Sequence, residues 1–341
     1  MQEDVSSEKF VVLDEFQRLG DSIFPLLERL PKKGKLLLTG SSLSVARYLF
    51  KKGSSLLGIL SEYKLDLFKP SDVCSFIKKC SPLNAILIAD LFREPWINEF
   101  LDCKEDPPYL AYNILKFSKN TILALIGEIF SAEDRLYSER FAAILNAVAS
   151  GNWNTKKITL YLYNKGIISE PSTSQVIPYL NILIKIGLID KLPLLQGKQF
   201  YYRLHSSVMD LFFYLSHKKR FHELDIPYTT IKETIKRKLS FYAESFLSRL
   251  LAEINDLQEG VHFTPTEEFD IVLLKGKKPF LMAEVKTGKS TLHDLELFYE
   301  RTKNFDTIKI FFSPNKIESY KEVITLTFKE VLQNPSKLKF V

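Results

Sequence analysis

Three residues near the end of the chain, Asp270, Glu284 and Lys286, have types and spacing suited to phosphodiester chemistry. Phe269–Leu274 and Pro279–Lys286 are apolar segments joined by Lys275-Gly276-Lys277-Lys278, a pattern that predicts an antiparallel hairpin. A turn centred on Lys277 pairs position 270 with position 284. Two carboxylates then face each other with Cβ atoms about 4.5–5.5 Å apart, where like charges destabilise a sheet unless a cation bridges them. Alternation along the strand puts Glu284 and Lys286 on one face and Ala283 and Val285 on the other. That face suits Mg²⁺: Asp270 and Glu284 supply oxygen ligands, the ion activates water and polarises the scissile phosphate, and Lys286 stabilises developing charge or places the nucleophile. The same D-x13-E-x-K string also arises by chance on a charged hairpin, so the elements around it decide its weight.

Ahead of the hairpin, Phe241–Ile254 is spaced as an amphipathic helix, with Phe246, Leu250 and Leu251 facing inward and Glu244 near its start. With that helix, D-x13-E-x-K resembles the PD-(D/E)xK restriction-endonuclease-like superfamily. A domain of this kind, domain of unknown function 234, is similar to the domain that archaeal ATPases carry after their winged helix. The resemblance implies that Glu244 joins Asp270, Glu284 and Lys286 as a carboxylate of the first helix. Phe269 stands where the motif's proline would be, and no glutamine comes after Lys286 on the next helix. Domains of this fold also bind nucleic acid without cutting it, so cleavage and binding alone both stay open.

The middle of the chain predicts three helices and a hairpin. Ser138–Ser150 has helical apolar spacing, Thr155–Asn164 is a second helix, and Ser172-Thr173-Ser174 signals the start of a third that stops at Gly187. Leu188–Leu192 and Phe200–Leu204, joined through Gln196-Gly197-Lys198, complete winged helix-turn-helix order, the module that archaeal ATPases carry after their core. Candidate nucleic-acid contacts are Thr173, Gln175 and Lys185 on the third helix, Lys198 on the wing, and Lys236 and Arg237 in a basic cluster beyond it. Pro178 shortens or kinks the third helix, and no arginine lies on it, so DNA and a partner protein are both expected partners. The clusters Lys218-Lys219-Arg220 and Lys232, Lys236-Arg237-Lys238 read equally as a phosphate-holding surface or a solvated linker.

At the start, Phe10–Leu13 reads as a buried strand that ends in Asp14-Glu15. Asp21–Leu30 reads as a helix, and Leu36-Leu37-Leu38 as a second strand ending in Thr39-Gly40-Ser41-Ser42. This β-α-β order implies a parallel sheet, with Asp14, Glu15, Thr39 and Ser41 clustered where ligands bind. It resembles the archaeal ATPase family of the AAA+-type P-loop class, whose Walker B strand is hhhhDE. The resemblance implies that Asp14 holds Mg²⁺ through water, Glu15 orients the attacking water, and Thr39 or Ser41 senses the γ-phosphate. Only nine residues precede Phe10, so a Walker A loop is absent from the chain as read, and Leu57-Gly58-Ile59 lacks the family's arginine. Without the glycine-rich loop there is no cradle for ATP phosphates, and ATP hydrolysis is not expected. Ala283–Ser290 fits a loose [AG]-x4-GK[ST] string, but it has one glycine and would put Glu284 inside a phosphate cradle.

The chain of 341 residues, 45% apolar and 26% charged, has an ordinary globular composition and is long enough for several domains. The expected class is α/β: a partial ATPase core over 1–110, a winged helix over 111–220 and a nuclease-like domain over 221–341. Residues 1–110 hold 15 Lys/Arg against 16 Asp/Glu, and residues 111–341 hold 32 against 25, so the net charge of +6 comes from the later part. No apolar run spans a bilayer and the polar start lacks a signal-peptide pattern, so a cytoplasmic protein is expected. Cys74, Cys80 and Cys103 show no CxxC spacing, which supports neither a disulfide framework nor a zinc ribbon. Three readings result: a nucleic-acid-binding protein with a Mg²⁺-dependent nuclease-like domain, a non-enzymatic regulator that docks DNA or a partner, and an ATPase truncated of its Walker A half.

Overall fold

In the computed structural model, residues 10–19, 27, 35–40, 61, 63–130, 135–264 and 267–341 are described. The chain divides into two compact units, Met1–Asp66 with Thr121–Ser138, and Leu67–Asn120 with Glu139–Val341. Residues from all three expected domains enter the second unit.

In the first unit, strands β1 (Phe10–Leu13) and β2 (Lys35–Leu38) pair in parallel, Phe10 with Lys35 through to Leu13 with Leu38. The burial expected of these strands is not reached: Phe10 is 63% exposed, Val12 and Leu37 are also exposed, and Val11, Leu13, Leu36 and Leu38 on the alternate face are half-buried. Of the helix expected at Asp21–Leu30, only Leu27 is among the described residues; it is helical and buried.

The second unit opens with two short helices that each carry proline in the first turn, α1 (Pro70–Ile77) and α2 (Pro82–Ala89). Proline suits that position because its missing N–H has no intrahelical partner there anyway. The long helix α3 (Pro107–Phe130) comes next, then α4 (Arg135–Ala149), with residues 121–130 and 135–138 of these two counted in the first unit; α5 (Thr155–Asn164) and α6 (Ile177–Lys185) follow. Strands β3 (Ile189–Pro193) and β4 (Phe200–Leu204) form an antiparallel hairpin. Helix α7 (Ser207–Lys219) leads into α8 (Tyr228–Asn255), whose 28 residues bury Ile231, Ile235, Leu239, Phe246, Leu250 and Leu251 along one side. The second basic cluster is therefore helical rather than a linker.

The last part of the chain is a five-stranded mixed sheet in the order β5 (Gln258–Phe263), β6 (Glu268–Lys275), β7 (Lys278–Val285), β8 (Ile308–Ser313) and β9 (Val323–Thr327). The first three strands are antiparallel, and β7, β8 and β9 run parallel. Helix α9 (Leu292–Thr302) makes the crossover between β7 and β8, and α10 (Phe328–Gln333) is followed by a 3₁₀ turn, Pro335–Leu338. Both helices begin with a capping box, Thr291 with Asp294 and Thr327 with Glu330, which satisfies backbone donors at the helix start. Gly260 on β5 is required by close packing, since a Cβ there would stand 2.9 Å from the Leu274 side chain.

Hairpin β3–β4, helix α8 and strand β5 are joined by buried charge. Arg249 donates from Nη1 to both oxygens of Asp90 at 2.7 and 2.6 Å and from Nη2 to Asp190 at 3.0 Å. Arg203 on β4 spans Asp190, 3.0 Å away, and Glu259 on β5, 2.8 and 2.9 Å away. The hairpin also meets β5 through its backbone, where Leu195 N–H donates to the Val261 carbonyl at 2.8 Å. The sequence supports no disulfide framework, yet one pair is bonded: Cys80, just after α1, meets Cys103 across 23 residues of chain, and Cys74 is left buried and free. Sequence spacing conceals such a pair because the returning chain, not a local motif, brings the two together.

Candidate active site

The site expected at the sheet is assembled from α8, β6, β7 and α9. The β6–β7 register runs Ile271 to Ala283, Val272 to Met282 and Leu273 to Leu281, so its continuation sets Asp270 opposite Glu284. The turn is not centred on Lys277. Lys275 pairs with Lys278 around Gly276-Lys277, with Gly276 at φ 65°, and a bulge between Leu273 and Leu274 shifts the register back by one. Two departures from a regular hairpin cancel at the site.

Glu284 is buried and its two oxygens have different cation partners. Lys286 Nζ donates to Oε1 at 2.7 Å, and Arg301 Nη2, from the last turn of α9, donates to Oε2 at 2.9 Å. Arg301 is not marked by any motif in the sequence. Its Nη1 also donates to the Glu268 carbonyl at 3.2 Å, so it ties α9 to the start of β6. Asp270 accepts from the Val285 N–H at 2.7 Å. Burial, then the charge of Glu284, pushes the Asp270 carboxyl up to about 7, against the pull of that N–H and of Lys286. Glu244 on α8 is pushed up to about 9 by burial and by Asp270, Glu268 and Glu284. Burial works against the Lys286 ammonium, but its bond to Glu284 and the nearby Asp270 hold it above its ordinary range. The patch thus gathers Glu244, Glu268, Asp270 and Glu284 against two cations, Lys286 and Arg301.

Among the described residues, no three His, Cys, Asp or Glu side chains form a group arranged around a metal ion. Mg²⁺ requires fewer protein ligands, because it keeps several waters and takes one or two carboxylates plus a substrate phosphate. Asp270 and Glu284 fit that role, and the excess of carboxylates over cations is what a divalent ion would relieve.

The loose phosphate-loop string has a different use. Ala283, Glu284 and Val285 lie within β7, and the Ser290 N–H donates to Asn315 Oδ1 at 3.1 Å. In the first unit, Thr39 Oγ1 donates to Asp14 Oδ1, and the Glu15 N–H donates to the same oxygen at 3.1 Å. Asp14, Glu15 and Thr39 therefore meet at the carboxyl ends of β1 and β2, with Glu15 at φ 49°. Ser41 lies outside the described residues.

Thr173 and Gln175 do not start the third helix. They belong to a 3₁₀ turn, Thr173–Gln175, and α6 begins at Ile177 with Pro178 in its first turn. The reason is that Pro178 has no N–H to donate to the Ser174 carbonyl, so a helix cannot run through it from Ser174, whereas proline is tolerated in the first turn of a helix. The outer face of α6 exposes Ile177, Asn181, Ile182 and Lys185, which is more apolar than a groove-reading helix. Lys198 is exposed at the tip of the β3–β4 hairpin, and Lys236 and Arg237 are exposed on α8 two turns before Glu244.

No protein-family model matches the chain, and no curated protein matches it. Among solved structures, the Aeropyrum pernix ORC2 protein in its ADPNP-ADP complexes is similar over 71% of this chain and 68% of that one, at 12% identity and a TM-score of 0.21. A score that low carries no argument about fold or function. Among the described residues, no helix is long and apolar enough to cross a membrane.

Proposed function

We propose that the chain is a nucleic-acid-binding protein whose last part is a Mg²⁺-dependent, PD-(D/E)xK-like nuclease domain. The carrying observation is the convergence of Asp270, Glu284 and Lys286 with Glu244: acids whose charges strain against one another, beside an ammonium in contact with one of them. Asp270 and Glu284 would hold the divalent cation, which supplies charge neutralisation and a more acidic water. Lys286, on the same face as Glu284, then faces the negative charge that builds on a phosphate during cleavage. Glu244 holds its proton at neutral pH, so it can donate a hydrogen bond to a phosphate oxygen. Arg301 fixes the rotamer of Glu284 and is a positioning residue.

The helices and hairpin over 135–204 have winged-helix order, and we assign them to docking. The apolar outer face of α6 favours a protein partner there, while the exposed basic residues on α8 lie beside the sheet site. In the N-terminal unit, Asp14, Glu15 and Thr39 suit the carboxylate edge of an ATPase core; the described residues supply no phosphate cradle for them, and ATP hydrolysis is not part of the proposal.

The test is cleavage of labelled DNA and RNA with Mg²⁺ by wild type, Asp270→Ala and Lys286→Ala proteins. Cutting by the wild type and its loss in both variants supports the proposal. Wild-type protein that never cuts either polymer, or variants that cut as well, would refute it and leave a binding regulator.

A further inference from the structure

Beside the candidate active site lies a cleft that this chemistry leaves unused. A cavity of about 250 Å³ is lined by Trp153, Tyr201 and Phe241, with Arg203, Asp210 and Lys238 as its charged groups. Pockets for drug-sized ligands span roughly 300–1,000 Å³, so this one has room for a single ring system rather than a whole nucleotide. Its walls are held rigid. Trp153 stacks on Tyr201 with centroids 5.9 Å apart and planes 16° apart, and meets Phe263 edge-on at 4.7 Å. Phe241, by contrast, is 38% exposed. The charged groups are equally fixed: Asp210 Oδ2 accepts from Lys238 Nζ at 2.7 Å and from the Tyr242 hydroxyl at 2.6 Å. A ring entering the cleft meets aromatic side chains, of which Phe241 is the exposed one, beside the paired charges of Asp210 and Lys238.

The cleft is also aligned with the site. Phe241 and Glu244 are three residues apart on α8, neighbours on one face with Cβ atoms about 5–6 Å apart. Ser240 Oγ lies 3.2 Å from Thr287 Oγ1, in the segment directly after Lys286. In the other direction Arg237 precedes Phe241 by four residues on the same helix face, about 6 Å along the axis, and both Lys236 and Arg237 are exposed. Cation, ring and carboxylate therefore lie in order along one helix.

We propose that the cleft captures one unpaired nucleobase of single-stranded nucleic acid against Phe241 and Tyr201, with the strand's backbone held at Lys236 and Arg237. A neighbouring phosphodiester is then set beside Asp270, Glu284 and Lys286. An aromatic peptide side chain would fit the rings as well, but the basic residues at the cleft's approach select a chain that carries phosphates. The fate of the captured strand rests on the nuclease reading; the capture itself does not.

The experiment uses full-length Asp270→Asn protein, so that binding is measured without cutting. Fluorescence anisotropy compares a single-stranded DNA, a single-stranded RNA and a blunt DNA duplex of the same sequence. Single strands are expected to bind tighter than the duplex, and Phe241→Ala to weaken them about 5- to 150-fold, the range for losing one base–aromatic stack. Phe241→Trp restores binding, which separates stacking from a folding defect, and the DNA and RNA arms show whether either sugar is preferred. A 2-aminopurine in the strand is quenched by protein with Phe241 and not by Phe241→Ala. Single-strand binding unchanged in Phe241→Ala, equal affinity for the duplex, or no binding of any oligonucleotide overturns the base pocket. Cleavage by the otherwise wild-type protein is scored separately: intact capture without cutting defeats the nuclease reading alone, and cutting that ignores Phe241 defeats the pocket alone.

Discussion

Replacing Glu244 by glutamine should make the protein more stable at neutral pH. The carboxyl ordinarily ionises near 4.5, and in the folded chain burial with Asp270, Glu268 and Glu284 holds it to about 9. Between those values the unfolded chain has released a proton that the folded chain keeps. Stability therefore falls as pH rises through this window, by about 1.4 kcal/mol per pH unit. From pH 4.5 to pH 7 the loss is about 3 kcal/mol. Asp270, held to about 7, acts in the same direction below neutrality in both proteins. Glutamine matches the protonated acid in shape and does not titrate, so the variant escapes the Glu244 part of the slope. Denaturant unfolding of both proteins from pH 4.5 to pH 8 in EDTA measures it. The expected outcome is equal stability near pH 4.5 and a variant about 3 kcal/mol more stable at pH 7. Parallel stability curves for the two proteins would refute the claim that these carboxyls strain against one another.

Three other perturbations address separate parts of the chain. Lys286→Ala should leave the fold intact, since the side chain is partly exposed, and lower Mg²⁺-dependent cleavage about 10²–10³-fold, as read in single-turnover assays. Arg249→Met leaves Asp90, 1% exposed, without its bidentate partner and should cost about 3–5 kcal/mol in denaturant unfolding. A loss below about 1 kcal/mol would show that the ionic joint between α8 and the β3–β4 hairpin contributes little. Cys80→Ser should cost about 3 kcal/mol through release of a 23-residue loop, and the difference should vanish when both proteins are unfolded in reductant.

What is legible in the sequence is local. The apolar runs Phe269–Leu274 and Pro279–Lys286 around a Lys-Gly-Lys-Lys turn mark the hairpin, and the helical spacing of Phe246, Leu250 and Leu251 marks the helix that carries Glu244. The register that sets Asp270 opposite Glu284 agrees with the spacing although the turn does not, because the bulge at Leu273 offsets the tighter loop at Gly276-Lys277. Strand β5 is hidden because Gln258-Glu259-Gly260 carries no apolar pattern. Arg301 lies one crossover beyond Glu284, and only the return of α9 along the sheet brings its guanidinium back. The joint of Asp90, Asp190, Arg203, Arg249 and Glu259 draws on five elements or connections, and Cys80–Cys103 closes across a bend of the chain. Both depend on tertiary packing, which spacing does not encode. Thr173 and Gln175 are misplaced by the sequence signals because Pro178 sets the helix start later than the serines and threonine suggest.

The central claim is that the carboxylates beside Lys286 form a place for a divalent cation, and calorimetric titration with Mg²⁺ tests it most directly. One site is expected on the wild type, with proton release at pH 7 because part of the ligand Asp270 is protonated there, seen as a dependence of the heat on the buffer's ionisation enthalpy. Asp270→Asn should remove the binding. Absence of a Mg²⁺ site in the wild type, or binding without proton release that persists in Asp270→Asn, would contradict the claim.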